Sequence, residues 1–214
     1  MKAYRTLHKY GIDEFTIEKS LFIGQAKPVE TEEEAREFID EMKSKYKDAT
    51  HNVWAYTIGE NMNIQRYSDD GEPQGTAGIP SLELIKKEDL RNVVLVVTRY
   101  FGGIKLGAGG LVRAYSKGAK IALEAGEIVE KRPFKEIDIS LEYTLLGKMQ
   151  NELANRSYTV KDIEYTDNVK IIVYCEEERI EDLKSLATEF SSGNAEIVEG
   201  EEFYLSVLDG NILV

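Results

Sequence analysis

Arg99, Lys105 and Arg113, set among Gly102, Gly103, Gly107, Gly109 and Gly110, are the residues of this chain best suited to binding an oxyanion. Glycine is costly inside regular structure and is used where the backbone takes positive φ or is closely approached. Main-chain N–H groups at the start of a helix, with cations beside them, make a ready site for a phosphate or a nucleic-acid backbone. Between Asp89 and Glu124 there is no acid, whereas Arg91, Arg99, Lys105, Arg113, Lys117 and Lys120 all fall there. No Gly-Lys-Ser/Thr triplet is present, so the stretch is not a Walker loop. The other reading is a tight strand-to-helix crossing with solvated cations. Tyr100 and Phe101 either stack on bases or pack in the core.

A second group precedes it: Ser68, Asp69, Asp70, Gly71 and Glu72, followed by Gly75 and Thr76. Three carboxylates so close together could hold Mg²⁺ beside a phosphate, although the spacing is not that of a calcium loop. The alternative is that Asp70 and Gly71 make a turn, Asp69 caps backbone amides and Glu72 pairs with a motif arginine. A mixed reading has these carboxylates orient Arg99 and Arg113 toward a ligand. His51 is the one candidate proton-transfer residue, with no serine or cysteine nucleophile identifiable beside it.

The elements that must position these residues follow from pattern. Residues 15–18 and 21–26 read as strands joined at Lys19 and Ser20. Thr31 and Glu34 form a capping box opening a helix with Ala35, Phe38, Ile39 and Met42 on one face. Residues 52–59 and 63–68 are the next strands, turning at Glu60, Asn61 and Met62. Thr76 is expected to cap a helix carrying Leu82, Leu84 and Ile85. The apolar run 93–97 predicts a strand covered on both faces. A helix over 111–125, stopped by Gly126, is expected to turn Leu111, Val112, Tyr115, Ala119, Ala122 and Leu123 inward and Arg113, Lys117 and Lys120 outward.

After Lys131, Arg132 and Pro133 the pattern becomes strand 136–143, helix 145–156, strands 158–165 and 169–175, helix 179–190 and strand 195–208. This βαββαβ order is that of a ferredoxin-like domain. The chain is therefore read as α+β with domains 1–133 and 134–214. Residues 1–133 carry 20 Lys and Arg against 21 Asp and Glu, whereas residues 134–214 carry 7 against 18. The acidic second half should repel nucleic-acid backbones, leaving the first to bind them. Cys175, the only cysteine, excludes an internal disulfide and a cysteine-based metal cluster and reads as a small buried apolar residue. Neither a secretory signal nor a membrane span is expected, so the chain reads as cytosolic.

Residues 68–80 taken with 99–113, preceded by His51 and Asn52, closely resemble the YigZ/IMPACT family, bacterial relatives of the eukaryotic Impact translational regulators. The resemblance implies a first domain of the ribosomal protein S5 domain 2-like type, a four-stranded sheet with helices on one face. It further implies a ferredoxin-like second domain resembling the last domain of elongation factor G. Eukaryotic Impact proteins restrain an initiation-factor kinase by competing for its activator, and carry an extra N-terminal interaction domain expected to be missing here. The resemblance brings no established catalytic residue and implies no metal or cofactor. The expected function is a non-enzymatic, translation-associated regulator whose partner is RNA, the ribosome or a translation-related protein. Two competing readings are an enzyme on a phosphorylated or nucleotide substrate, using His51 with Asp69, Asp70 and Glu72, and a protein–protein adaptor.

Overall fold

The computed structural model describes residues 1–213, which divide into two compact units, Tyr4–Glu130 and a second comprising Lys131 onward together with Met1–Ala3. The first unit runs β1 (Tyr4–Leu7), β2 (Gly11–Ile17), β3 (Ser20–Pro28), α1 (Glu32–Lys45), β4 (His51–Ile58), β5 (Ile64–Ser68), α2 (Gly78–Lys87), β6 (Val93–Tyr100) and α3 (Gly107–Ala125). Its main sheet has the order β2-β3-β6-β4-β5. The β2 and β3 strands turn through Glu18 and Lys19, both at positive φ (47° and 62°), one residue earlier than the pattern suggested. Two consecutive left-handed residues match the strand twist of a tight hairpin.

The central strand explains the layering. Val93, Leu95 and Val97 pack with Leu82, Ile85, Leu111, Tyr115 and Ala119 from α2 and α3. Val94 and Val96 face the opposite way and meet Phe38, Ile39 and Met42 of α1. These five residues of β6, 93–97, are fully buried, each contributing about 1.5–3 kcal/mol by leaving water. The sheet thus has five strands and helices on both faces, correcting the expectation of four strands covered on one. Thr31 Oγ1 accepts from Glu34 N at 3.2 Å, as a capping box requires, but the Glu34 carboxylate accepts from Glu30 N at 2.7 Å instead of closing on Thr31.

A long strand, β7 (Ile128–Leu141), opens the second unit, followed by a single 3₁₀ turn, α4 (Leu146–Asn155), β8 (Thr159–Tyr165), β9 (Val169–Cys175), α5 (Ile180–Phe190), β10 (Glu196–Leu208) and β11 (Asn211–Leu213). The expected β-α-β-β-α-β order is present, with sheet order β11-β10-β7-β9-β8. Ile137, Ile139 and Leu141 alternate inward beneath Met149, Leu153, Leu183 and Leu186. Strand β11 was not expected, although Asp209 and Gly210, both at positive φ, mark its hairpin. Cys175 is buried, and desolvation pushes its thiol up to about 11, so it is an inert apolar residue.

Tyr158 Oη donates to Asp182 Oδ2 at 2.7 Å, and burial, then this bond, pushes the hydroxyl up to about 12 from its ordinary 10.0. A folded pKa above the unfolded one means this stabilisation is complete below pH 10 and is lost as pH rises toward 12. Chemical unfolding followed across that window should show falling stability, with Tyr158→Phe flattening the fall.

Candidate functional site: a pocket joining two loops

Strands β4 and β6 are antiparallel neighbours, with His51 opposite Arg99. The loop leaving β6 and the loop leaving β5 therefore emerge at one end of the sheet, which is how two sequence-distant motifs meet. Asp69 organises the second loop. Its Oδ2 accepts from Gly75 N at 2.8 Å, and its Oδ1 accepts from Ala77 N at 3.1 Å and Gly78 N at 2.8 Å. Those last two amides open α2, so Asp69, and not Thr76, caps that helix. The Thr76 hydroxyl instead donates to Pro73 O at 2.7 Å. Asp70 turns the chain at φ 45° and Gly71 continues it at φ 89°. Asp70 Oδ2 accepts from Asn52 N at 2.7 Å, its Oδ1 pairs with Lys43 at 3.2 Å, and Ser68 Oγ accepts from Asp70 N at 3.1 Å.

Glu72 is the joint between the motifs. Arg99 Nη1 donates to Glu72 Oε1 at 2.7 Å, with side-chain exposures of only 6% and 3%. Tyr115 of α3 donates its hydroxyl to the same oxygen at 2.7 Å. Burial, then the neighbouring Glu72, holds that hydroxyl far above its ordinary value, so it stays a donor. Arg99 is further held by Ser20 Oγ at 3.4 Å and by the rings of Phe22 and Phe101, at 5.4 and 5.3 Å from their centroids. The three carboxylates of the loop thus serve three different sets of protein partners, and among the described residues no cluster suited to a metal ion occurs.

His51 Nδ1 lies 2.8 Å from Asp70 O. A carbonyl only accepts, so Nδ1 carries a proton and in the neutral ring Nε2 is the acceptor. Nε2 stands 3.8 Å from Glu72 Oε2, beyond hydrogen-bond reach.

The glycines separate into classes. A Cβ on Gly102 would stand 2.0 Å from the main chain of Lys19, and Gly102 N donates to Ser20 Oγ, so this glycine exists for close packing. Gly103 and Gly107 take φ of 86° and 70° with nothing nearby. Gly110 sits tightly on Leu106. Gly109 has neither positive φ nor a crowding neighbour; its nearest contact is Arg113 Nη1 at 4.0 Å. The helix α3 begins at Gly107, four residues before the expected start, so Gly109 and Gly110 lie inside its first turn. Leu106 at its N-cap supplies no side-chain bond, so the leading amides keep their hydrogen-bonding capacity. Lys105 and Arg113 are exposed and unpaired among the described residues. Arg99 thus differs from its two companions: its charge is buried and balanced.

Between the loops lies an open pocket of about 400 Å³. Its walls include Pro73, Phe101, Leu106 and Leu111, with His51, Glu72 and Arg99 among its polar lining and Lys105 and Gly107 beside them. Phe101 is 45% exposed, so of the two aromatic candidates it is the one free to take a ring. Tyr100 instead donates to Asp48 at 2.9 Å. Tyr115 and Ser20 were not legible as site residues: Tyr115 sits at a core-facing helical position, and Ser20 in a hairpin gives no signal of its long-range bond.

Both units of the chain are similar to known proteins. The Impact N-terminal domain matches residues 18–123, covering both loops, and a domain of unknown function (DUF1949) matches residues 139–194. The chain is 46% identical to the IMPACT family member YvyE of Bacillus subtilis over 205 residues, 96% of this chain and 94% of that one. It is 31% identical to the IMPACT family member YigZ of Escherichia coli, over 87% of this chain and 92% of that one. Protein IMPACT-B of Xenopus tropicalis is 36% identical over 106 residues, 47% of this chain and 32% of that protein. A crystal structure titled as a hypothetical protein superposes with a TM-score of 0.59 at 28% identity, covering 92% of this chain and 97% of that one. With nearly the whole chain aligned to such relatives and both of its units matched, the chain belongs to the IMPACT family.

Proposed function

We propose that this chain is a non-enzymatic, translation-associated binding protein of the cytosol that holds RNA, the ribosome or another phosphate-bearing partner through the loops around α3. The observation that carries the reading is the uncapped N-terminus of α3, flanked by exposed Lys105 and Arg113 within an acid-free stretch and opening beside the pocket. Free amides, the helix dipole and two unpaired cations together favour an anion. Family membership supplies the translation context, because the eukaryotic Impact proteins are translational regulators. The first unit is read as ribosomal protein S5 domain 2-like, with an additional strand and a helix on its second face. The second is read as ferredoxin-like, akin to the last domain of elongation factor G, on its element and strand order.

Association with RNA or ribosomes should weaken linearly as log salt rises, and removing Lys105 and Arg113 should reduce the single-strand slope by about 0.7 each. The variant to use is Lys105→Glu with Arg113→Glu, since both side chains are exposed and the fold should survive. Affinity unchanged by this double reversal would refute the reading. Capture before and after nuclease treatment separates it from an adaptor, for which one protein partner would survive digestion.

One observation favours a second reading, an enzyme on a phosphorylated or nucleotide substrate. His51 has Nδ1–H fixed on the Asp70 carbonyl, which leaves Nε2 of the neutral ring as a free acceptor on the pocket wall, as a proton-transfer histidine needs. Saturable turnover lost in His51→Ala would establish it.

A further inference from the structure

The pocket between the loops holds a carboxylate with half of its hydrogen-bonding capacity unused. Glu72 Oε1 accepts from both Arg99 and Tyr115, whereas Oε2 accepts from no group among the described residues. His51 Nε2 stands 3.8 Å from it, and the Glu72 side chain is only 3% exposed. Oε2 is the part of this carboxylate that opens onto the pocket, where it can accept from an N–H or O–H donor of a ligand. A gap of 3.8 Å between Oε2 and Nε2 admits one such atom in contact with both. This observation is independent of the helix terminus and points into the same cavity.

From it and the lining we infer that the pocket accommodates a single nucleotide unit, either a free nucleoside monophosphate or the terminal residue of a single strand. The inference rests on the phosphate-binding reading given above and specifies the chemistry of the ligand. A base has a flat apolar face for Phe101, Pro73 and Leu111 and an edge N–H or amine, or a ribose hydroxyl, to donate to Glu72 Oε2. Its phosphate falls to Lys105 and the amides at Gly107 and Ala108, which line the same cavity. The cavity, about 400 Å³, is of the size that encloses a small ligand and too small for a duplex. Gly109, a glycine that neither φ nor packing demands, leaves the first turn of α3 bare beside that phosphate. The buried Arg99 contributes no net attraction; it holds Glu72 in place.

Isothermal titration of the full chain with adenosine, cytidine, guanosine and uridine monophosphates, free adenosine and inorganic phosphate tests this. At least one monophosphate should bind, with adenosine and phosphate each weaker by about ten-fold or more, as loss of one stacking or one charged contact implies. Glu72→Gln is the obvious variant but unbalances Arg99, so Ala108→Leu, which fills the cavity from an exposed helical position, and Phe101→Ala are used beside it. Both should abolish monophosphate binding while leaving the thermal transition in place. A strand bearing a 5′ or 3′ terminal phosphate that competes with the monophosphate identifies a chain end as the ligand; failure to compete identifies the free nucleotide. Two results overturn the inference: no monophosphate binding in a protein that still binds RNA through Lys105 and Arg113, or binding that both pocket variants leave intact. The first leaves the broader reading standing, so the two failures are distinguishable.

Discussion

Arg99→Met is expected to destabilise the first unit by about 3–5 kcal/mol, the cost of breaking a buried ion pair from one side. The reason is Glu72. With the guanidinium gone, a carboxylate 3% exposed keeps only the Tyr115 hydroxyl at 2.7 Å and a histidine at 3.8 Å. Replacing both partners, as Arg99→Met with Glu72→Leu, should cost much less than the sum of the single changes, because no orphan charge remains. Urea unfolding of the wild type, both single variants and the double variant yields the coupling directly. A single variant within about 1 kcal/mol of wild type would mean that the pair behaves as a screened surface contact. The double variant should also lose binding at the pocket, since the joint holding its two loops together is gone.

Gly102→Ala is expected to cost about 1–3 kcal/mol, the range for forcing a methyl into a filled space. Its Cβ would lie 2.0 Å from the Lys19 carbonyl carbon and oxygen, which are main-chain atoms of a tight turn and cannot rotate away. Relief requires moving the β2–β3 turn or the loop carrying Phe101 and Lys105, so RNA association should fall with stability. Gly109→Ala provides the contrast. Nothing lies closer than Arg113 Nη1 at 4.0 Å, and alanine in a helix is favoured over glycine by about 0.5–1 kcal/mol. That variant should be more stable in a thermal melt yet bind an anion less well. Equal melting temperatures for the two variants would contradict this division of the glycines.

These distinctions show what a one-dimensional reading reaches. The strand at Val93 was legible because an uninterrupted β-branched and aliphatic run fits a doubly covered position; that both covers are helical, with Val94 and Val96 opposed to Val93, Leu95 and Val97, emerged only from the structure. The start of α3 was misplaced because Gly107, Gly109 and Gly110 read as helix breakers, whereas they form its first turn. The cap of α2 was assigned to the nearest hydroxyl, Thr76, while the acceptor is Asp69, eight and nine residues before the amides it binds. Caps follow local pattern only when the capping side chain is adjacent in sequence. Residue types at the site were legible in Glu72, Arg99, Lys105 and His51. Which of them would be neutralised was not, because pairing depends on the β4–β6 register and on Tyr115 arriving from α3.

Photo-crosslinking of bound single-stranded RNA, followed by mapping of the linked peptides, tests the two-loop site most directly. Crosslinks should fall on both sides of one pocket, at His51 and Pro73 and across residues 101–108, and should vanish in the Lys105→Glu, Arg113→Glu protein. Crosslinks confined to the second unit, or to the α1 side of the first, would contradict the site.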